Sequence, residues 1–254
     1  MKICTYNVNG IRAALKKGLA DWVAEEQPDI LALQEIKIDQ QAFRPYADAL
    51  TGYTAIWHSA EKKGYSGVAI YAKNEPEHVQ IGFDQPKYDI EGRVISASFG
   101  DLRLVNVYLP SGSQGDARQV VKEAFMDDFY DWLQTQKAQH EKLVVVGDYN
   151  ICHKPIDIHD PVRLKNTSGF LPNEREWMSK LIDSGFIDSF REVNTDPDLY
   201  TWFSYRARAK ANNKGWRIDY QLINTPLKDA VIAHEIHRAC NMSDHVPTVL
   251  ELEV

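Results

Sequence analysis

Leu143-Val144-Val145-Val146-Gly147-Asp148-Tyr149-Asn150 is the stretch on which the fold turns. Its valines show no alternation with polar residues, so both faces of the predicted strand must be covered, as in a sheet flanked by other layers. Polar residues then follow at once. A chain turning at Gly147 presents Asp148 and Asn150 on one side, because alternate residues of an extended segment point the same way. An unpartnered polar group taken out of water costs about 1 to 3 kcal/mol, and a charge costs more. The spacing therefore suggests chemistry: an aspartate that orients or deprotonates a water, and an asparagine that donates to a phosphate oxygen as its charge grows. The structural alternative is an Asx-turn after a buried strand.

Working outward, five more apolar runs end on short polar motifs: Tyr6-Asn7-Val8-Asn9-Gly10, Leu33-Gln34-Glu35, Asn106-Val107-Tyr108-Leu109-Pro110, Arg217-Ile218-Asp219-Tyr220 and Ser243-Asp244-His245. Such repetition suggests one shared site. Carboxylate, carbonyl oxygen and imidazole together suit a hard divalent cation and a phosphate. Glu35 offers a metal carboxylate and Asn7 a carbonyl oxygen, in keeping with magnesium, which takes one or two protein carboxylates and keeps several waters. Asn7-Val8-Asn9-Gly10 also reads as an ordinary turn. A histidine beside an aspartate has its tautomer fixed and its imidazolium stabilised. Neighbours in a strand point apart, so Asp219 is the better partner for His245, which leaves Asp244 for the metal side. His153 and His159 are expected to be structural or on the surface.

The 254 residues, 44% of them hydrophobic, are enough for one extensive core, and one domain over residues 1–254 is expected. No apolar run is long enough for a membrane span, and the strand-like Ile3-Cys4-Thr5-Tyr6 at the start leaves no signal-peptide region, so a cytoplasmic setting without membrane contact is expected. The three cysteines, Cys4, Cys152 and Cys240, form no Cys-x-x-Cys pair and are expected to be buried thiols. A formal charge of −7 is not the footprint of a nucleic-acid binder. Acidic metal ligands contribute to that sign, however, and basic density remains in Arg206, Arg208, Lys210, Lys214 and Arg217. Lys62-Lys63 and the group Lys154, Arg163 and Lys165 read equally well as solvated surface.

Strand-length apolar runs recur at 30–33, 53–57, 67–71, 94–99, 102–108, 143–146, 219–223, 227–233 and 248–252. Helical periodicity covers 11–26 and 117–136, and a third helix is predicted from near Asn173, where Asn173 and Glu176 have capping-box spacing. Residues 102–108 alternate, whereas Val68-Ala69-Ile70 do not. Two mixed sheets packed face to face with helices outside accommodate both patterns. Residues 152–171 and 206–215 have no period and read as functional loops.

In this order, Lys2-Ile3-Cys4-Thr5-Tyr6-Asn7-Val8-Asn9-Gly10-Ile11-Arg12-Ala13, Gly64-Tyr65-Ser66-Gly67-Val68-Ala69, Gly169-Phe170-Leu171-Pro172-Asn173-Glu174-Arg175 and Ser243-Asp244-His245-Val246-Pro247 carry a family resemblance. The chain resembles, over essentially its whole length, the exonuclease III family of apurinic/apyrimidinic endonucleases, within the wider endonuclease, exonuclease and phosphatase superfamily. The resemblance implies a four-layer α/β sandwich and magnesium-dependent attack of water on the phosphodiester 5′ to an abasic sugar, with manganese as a substitute. It implies a metal shell drawn from Asn7, Glu35, Asp148, Asn150, Asp244 and His245, with Tyr108 on the phosphate. Asp148 and Asn150 would position water and stabilise the pentacoordinate phosphorus, and His245, oriented by Asp219, would reach the scissile phosphate. Ser111 stands where relatives often carry Asn or Gln, Val246 replaces a common Cys, and Asn9 stands where some have Asp. These departures bear on the balance among abasic-site cleavage, 3′-to-5′ exonuclease and 3′-phosphatase or phosphodiesterase activity.

By the same resemblance, Trp202, Trp216 and Ile218 align with an apolar pocket for a flipped-out abasic sugar, which selects by size. Phe203 and Tyr205 are expected to be core aromatics. Arg206 and Arg208 would grip phosphates at the rim, with Ser111, Gln114 and Arg118 on the other side. The implied partner is double-stranded DNA carrying abasic or 3′-blocked sites, bound by a monomer. The competing readings are a phosphatase or phosphodiesterase for a small or lipid substrate, and a non-catalytic DNA-binding relative. Trp202 and Trp216 favour DNA repair over the first, and the complete acid, amide and histidine set argues against the second.

Overall fold

The computed structural model describes residues 1–254. Its strands are β1 (Lys2–Asn7), β2 (Ile30–Gln34), β3 (Thr54–His58), β4 (Val68–Ala72), β5 (Val79–Ile81), β6 (Val94–Phe99), β7 (Leu102–Tyr108), β8 (Lys142–Asp148), β9 (Phe186–Asp188), β10 (Asp219–Asn224), β11 (Val231–Ile236) and β12 (Thr248–Leu252). The helices are α1 (Ile11–Lys16), α2 (Leu19–Glu26), α3 (Arg44–Ala47), α4 (Pro86–Asp89), α5 (Asp116–Gln139), α6 (Pro172–Asp183) and α7 (Ser189–Val193). Two six-stranded mixed sheets result, in the orders β11-β12-β1-β2-β4-β3 and β5-β6-β7-β8-β10-β9. Each holds one parallel pair at its centre, β1 with β2 and β7 with β8, joined by a helical crossover. No helix is long and apolar enough to cross a membrane.

The valines of β8 show why the sequence reads as it does. Val144 and Val146 face the other sheet, in a core with Ile30, Ala32 and Ile70. Val145 faces outward, against Phe125, Phe129 and Leu133 of α5 and Trp177 of α6. On the far side, Leu19 and Val23 of α2 cover Leu31 and Leu33 of β2. The result is the expected four-layer α/β sandwich of helix, sheet, sheet and helix.

Several expectations need correction. The helix over 11–26 is two helices, because Gly18 adopts a left-handed φ of 100° between them. The first turn of α6 is closed by Glu174 rather than Glu176: its carboxylate accepts from the Leu171 and Gly169 amides at 2.9 and 2.7 Å. Residues 225–230 form a 3₁₀ turn ahead of β11, and the short β5 and β9 were not anticipated. Gly147 is no turn but part of β8, and a Cβ there would sit 1.9 Å from the Val107 carbonyl oxygen. All of β7 is buried despite its alternation, because its polar residues are bonded. Asn106 donates across the sandwich to the Leu33 and Ala69 carbonyls at 3.0 and 2.9 Å.

This topology puts polar strand ends together. The parallel strands β1, β2, β7 and β8 all finish at one edge of the sandwich, on Asn7, Gln34, Tyr108 and Asp148. Antiparallel β10 begins there, with Asp219 directly opposite Asp148.

Candidate active site

At that edge the polar residues of the two sheets bond to one another. Asn7 Nδ2 donates to Glu35 Oε1 and to Asp148 Oδ2, both at 2.8 Å. His245 Nδ1 lies 2.9 Å from Asp219 Oδ2, and its Nε2 lies 3.8 Å from Asp148 Oδ2. Asp219 is therefore the histidine's partner, as expected from the sequence. Glu35, Asp148 and His245 bring ligand atoms within 4.8 Å of one another, a donor set of carboxylate oxygens and imidazole nitrogen that fits a divalent cation.

Backbone strain marks the same place. Glu35 and Asn150, each just beyond a strand, have left-handed φ values of 52° and 51°, a conformation that costs energy for residues with a Cβ. At Asn150 the cost is offset locally: its amide N donates to Asp148 Oδ1 at 2.8 Å and its side chain to the Leu109 carbonyl at 3.0 Å.

Electrostatics follow from burial and neighbours. Burial pushes Glu35 upward, but the Lys37 ammonium, with Nζ 2.6 Å from Oε2, and the Asn7 amide outweigh it and hold the carboxyl below its usual value. Asp148 is raised, first by burial and then by the Asp219 and Glu35 carboxylates, against the lowering effect of His245. For His245, burial acts to lower the pKa, yet Asp219 and Asp148 prevail and raise it to about 10. Tyr108 is buried and raised, by desolvation and then by Glu35.

These groups open into a cavity of about 370 Å³ whose far wall is Trp202, Trp216 and Ile218. The two indoles meet nearly edge to face, 6.1 Å apart. Ser111, Gln114, Thr167, Ser168 and Gly169 also line the cavity, Gly169 lying against the Trp216 ring. Asp244 reaches the cavity, but it lies outside the group of three: it accepts from Asn9 Nδ2 at 2.9 Å and from Trp202 Nε1 at 3.1 Å. Its geometry here ties an indole of the pocket wall in place.

Other expected residues distribute unevenly. Arg206 and Arg208 are exposed on a short 3₁₀ turn. Arg118 does not line the cavity and is held by Glu91 at 3.2 Å and the Tyr65 hydroxyl at 3.1 Å. Arg217, counted with the basic surface, is instead 1% exposed and paired with Asp157 and Asp188 at 2.8 and 2.6 Å. Phe203 is buried as expected, but Tyr205 is 68% exposed and stands near Asn9 and Asp244 rather than in the core. His153 and His159 lie away from the site, the former beside Ser179. Cys4 and Cys152 are buried, Cys240 only half so, and all are free.

Two participants escaped sequence reasoning. Lys37 gave a weak signal, two positions after a candidate ligand. Arg93 gave none, since its place under the Tyr108 ring, 4.8 Å from the centroid, and its bond to the Tyr108 carbonyl at 3.0 Å depend on the pairing of β6 with β7.

Residues 4–245 match the Endonuclease/Exonuclease/phosphatase family. The chain is 39% identical to the zebrafish (Danio rerio) DNA repair nuclease APEX1, over 100% of this chain and 83% of that one. It is 36% identical to the exodeoxyribonuclease of Bacillus subtilis, over 100% of both. Among solved structures, the Neisseria 3′ phosphatase NExo bound to a product DNA hairpin superimposes with a TM-score of 0.93 at 32% identity, and an AP endonuclease from Archaeoglobus fulgidus with 0.91 at 32%, each over 100% of both chains. The chain belongs to the endonuclease/exonuclease/phosphatase family.

Proposed function

We propose that this chain is a DNA-repair phosphodiesterase that hydrolyses the DNA backbone 5′ to abasic sites and also acts on 3′ termini as an exonuclease and phosphatase. The observation that carries the reading is the acid, amide and histidine cluster at one end of a cavity walled at the other by Trp202, Trp216 and Ile218. A superfamily metal centre alone would serve many phosphoesters. The indole wall suits a sugar without a base, which is cheaper to turn out of the duplex than an intact nucleotide.

In this reading, Glu35 and Asp148 hold the cation, with Asn7 fixing the two carboxylates; His245, Asn150 and Asp244 border the shell. Magnesium, with manganese as a substitute, supplies positive charge to a phosphate oxygen when bound. Asp148, raised by burial, accepts or orders the proton of the attacking water, and Asn150 donates to the phosphorane oxygens. His245, kept as an imidazolium by Asp219, neutralises charge on the phosphate, and Tyr108 donates to it from the other side. Ser111 and Gln114 flank the path of the strand, while exposed Arg206 and Arg208 face backbone phosphates at the rim. The partner is double-stranded DNA with abasic or 3′-blocked sites, bound by one catalytic domain over residues 1–254 acting as a monomer in the cytoplasm.

The deciding assay uses duplex DNA with a single abasic analogue, in magnesium and in chelator. Metal-dependent incision is expected. Tight binding without incision would point to a non-catalytic relative, and neither binding nor incision would return the site to a small or lipid phosphoester.

A further inference from the structure

Behind the cavity, Lys122 of α5 and Glu174 of α6 form an ion pair at 2.5 Å in which neither side chain has any exposed surface. Removing two charges from water is costly, and an apolar pair of equal volume often serves stability as well or better. The distribution of their remaining bonds shows what the charges do instead. Lys122 Nζ donates to the Asn150 carbonyl at 2.8 Å. Glu174 Oε2 accepts from the Gly169 amide at 2.7 Å, and Gln119 donates to its other oxygen at 3.1 Å. One partner thus grips the turn that carries the amide of the site, and the other grips the wall against which Trp216 lies.

The fit between those two segments leaves little room. Cys152 N donates to the Gly169 carbonyl at 2.7 Å, joining the segments directly. A Cβ at Gly169 would stand 2.9 Å from the Trp216 ring and 3.2 Å from the Asn150 oxygen, so the gap between indole and turn is filled by this one glycine. The local bonds of Asn150, to Asp148 and Leu109, engage its amide and side chain, and its carbonyl is held by Lys122.

We infer that Lys122 and Glu174 are positioning residues: their buried ion pair holds the Asn150 turn and the Gly169 wall at a fixed separation, setting both the direction of the Asn150 amide and the width of the sugar pocket from outside the site. This rests on the nuclease reading above. Neither residue meets substrate, so the pair acts wholly through Asn150 and through Gly169 with Trp216.

The test is the neutral, nearly isosteric double variant Lys122→Met/Glu174→Gln, which leaves no buried charge unpaired and keeps an oxygen for the Gly169 and Leu171 amides. Thermal unfolding is measured beside steady-state incision of the abasic duplex and removal of a paired 3′ nucleotide. The expected result is a melting temperature at or near that of the wild type, kcat for incision lower by about tenfold to a hundredfold, and KM little changed. The ratio of exonucleolytic removal to abasic incision should also rise, since a loosened pocket discriminates less by size. A folded variant with wild-type kcat and ratio would overturn the inference, as would a loss of kcat that merely tracks a loss of folded protein. If the double variant does not fold, Glu174→Asp carries the test, because it keeps both charges while drawing the carboxylate back from the Gly169 amide: a lowered kcat in folded protein supports the positioning role, and full kcat overturns it. Wild-type protein that fails to incise at all would instead overturn the nuclease reading and this inference together.

Discussion

His245 is held between two carboxylates, with Nδ1 2.9 Å from Asp219 Oδ2 and Nε2 3.8 Å from Asp148 Oδ2. The two aspartates come from neighbouring strands and face each other in register, so the sheet itself sets the spacing. The ring is buried, with one edge on the cavity, and still keeps its proton across neutral pH, because Asp219 and Asp148 outweigh its desolvation. Replacing Asp219 with Asn removes the main stabiliser of that charge and permits the wrong tautomer. Single-turnover incision should fall by about a hundredfold to ten-thousandfold with the fold intact. An NMR titration of the His245 ring should show its pKa dropping, and a variant with an unmoved pKa and full rate would refute the pairing's role.

Glu35 is held low by Lys37 and Asn7, which keeps it ionised and ready for a cation. Glu35→Gln should weaken manganese binding, read by electron paramagnetic resonance of the free ion, by about tenfold to a hundredfold. Chelator should stop incision by the wild-type protein, and added magnesium should restore it.

The perpendicular contact of Trp202 with Trp216 forms the apolar end of the cavity. Trp216→Ala opens that end beside Gly169. We expect kcat/KM on the abasic duplex to fall by about tenfold, equivalent to about 1.4 kcal/mol, while activity on intact terminal nucleotides is retained. Competition between the two substrates in one tube measures the lost discrimination.

Arg206 and Arg208 are solvent-exposed and close no ion pair, unlike Arg118 and Arg217. Changing both to Ala should reduce the slope of log affinity against log salt by about two, near 0.9 for each phosphate that is no longer neutralised. Fluorescence anisotropy with labelled duplex across a salt series measures it, and parallel lines would remove the loop from the interface.

His234 lies in the interior, with Nδ1 2.8 Å from Ser189 Oγ, and burial lowers its pKa to about 3. The sign follows from proton uptake: between its ordinary value of 6.5 and about 3, only the unfolded chain binds the proton, so stability declines as pH falls through that range and is complete above it. Urea unfolding should show a loss of about 1.6 kcal/mol between pH 6.5 and pH 5 from this group. In His234→Gln that part of the slope should vanish.

Much of this was legible beforehand. Val144, Val145 and Val146 announced a doubly covered strand because both faces of β8 meet apolar layers, and the polar ends of β1, β2, β7 and β8 marked the site because nothing local explained them. Helix ends were read less well. Gly18 divides what periodicity alone joins, and Glu174 rather than Glu176 closes the start of α6, since a cap depends on where the preceding chain lies. Gly147 was misjudged for a related reason: its constraint is the approach of β7, which a local reading attributes to a turn.

By itself the sequence determined the layers, the strands and the side chains with chemistry to offer, since apolar periodicity and strand-end polarity are properties of neighbours along the chain. Tertiary structure alone decided which charges are shared: that Arg217 is interior, that Tyr205 is exposed, that Asp244 steadies Trp202, and that Lys122 and Glu174 meet beneath Asn150. Desolvation and Coulomb attraction act through space, and the residues that set them here lie between 29 and 60 positions apart in the chain.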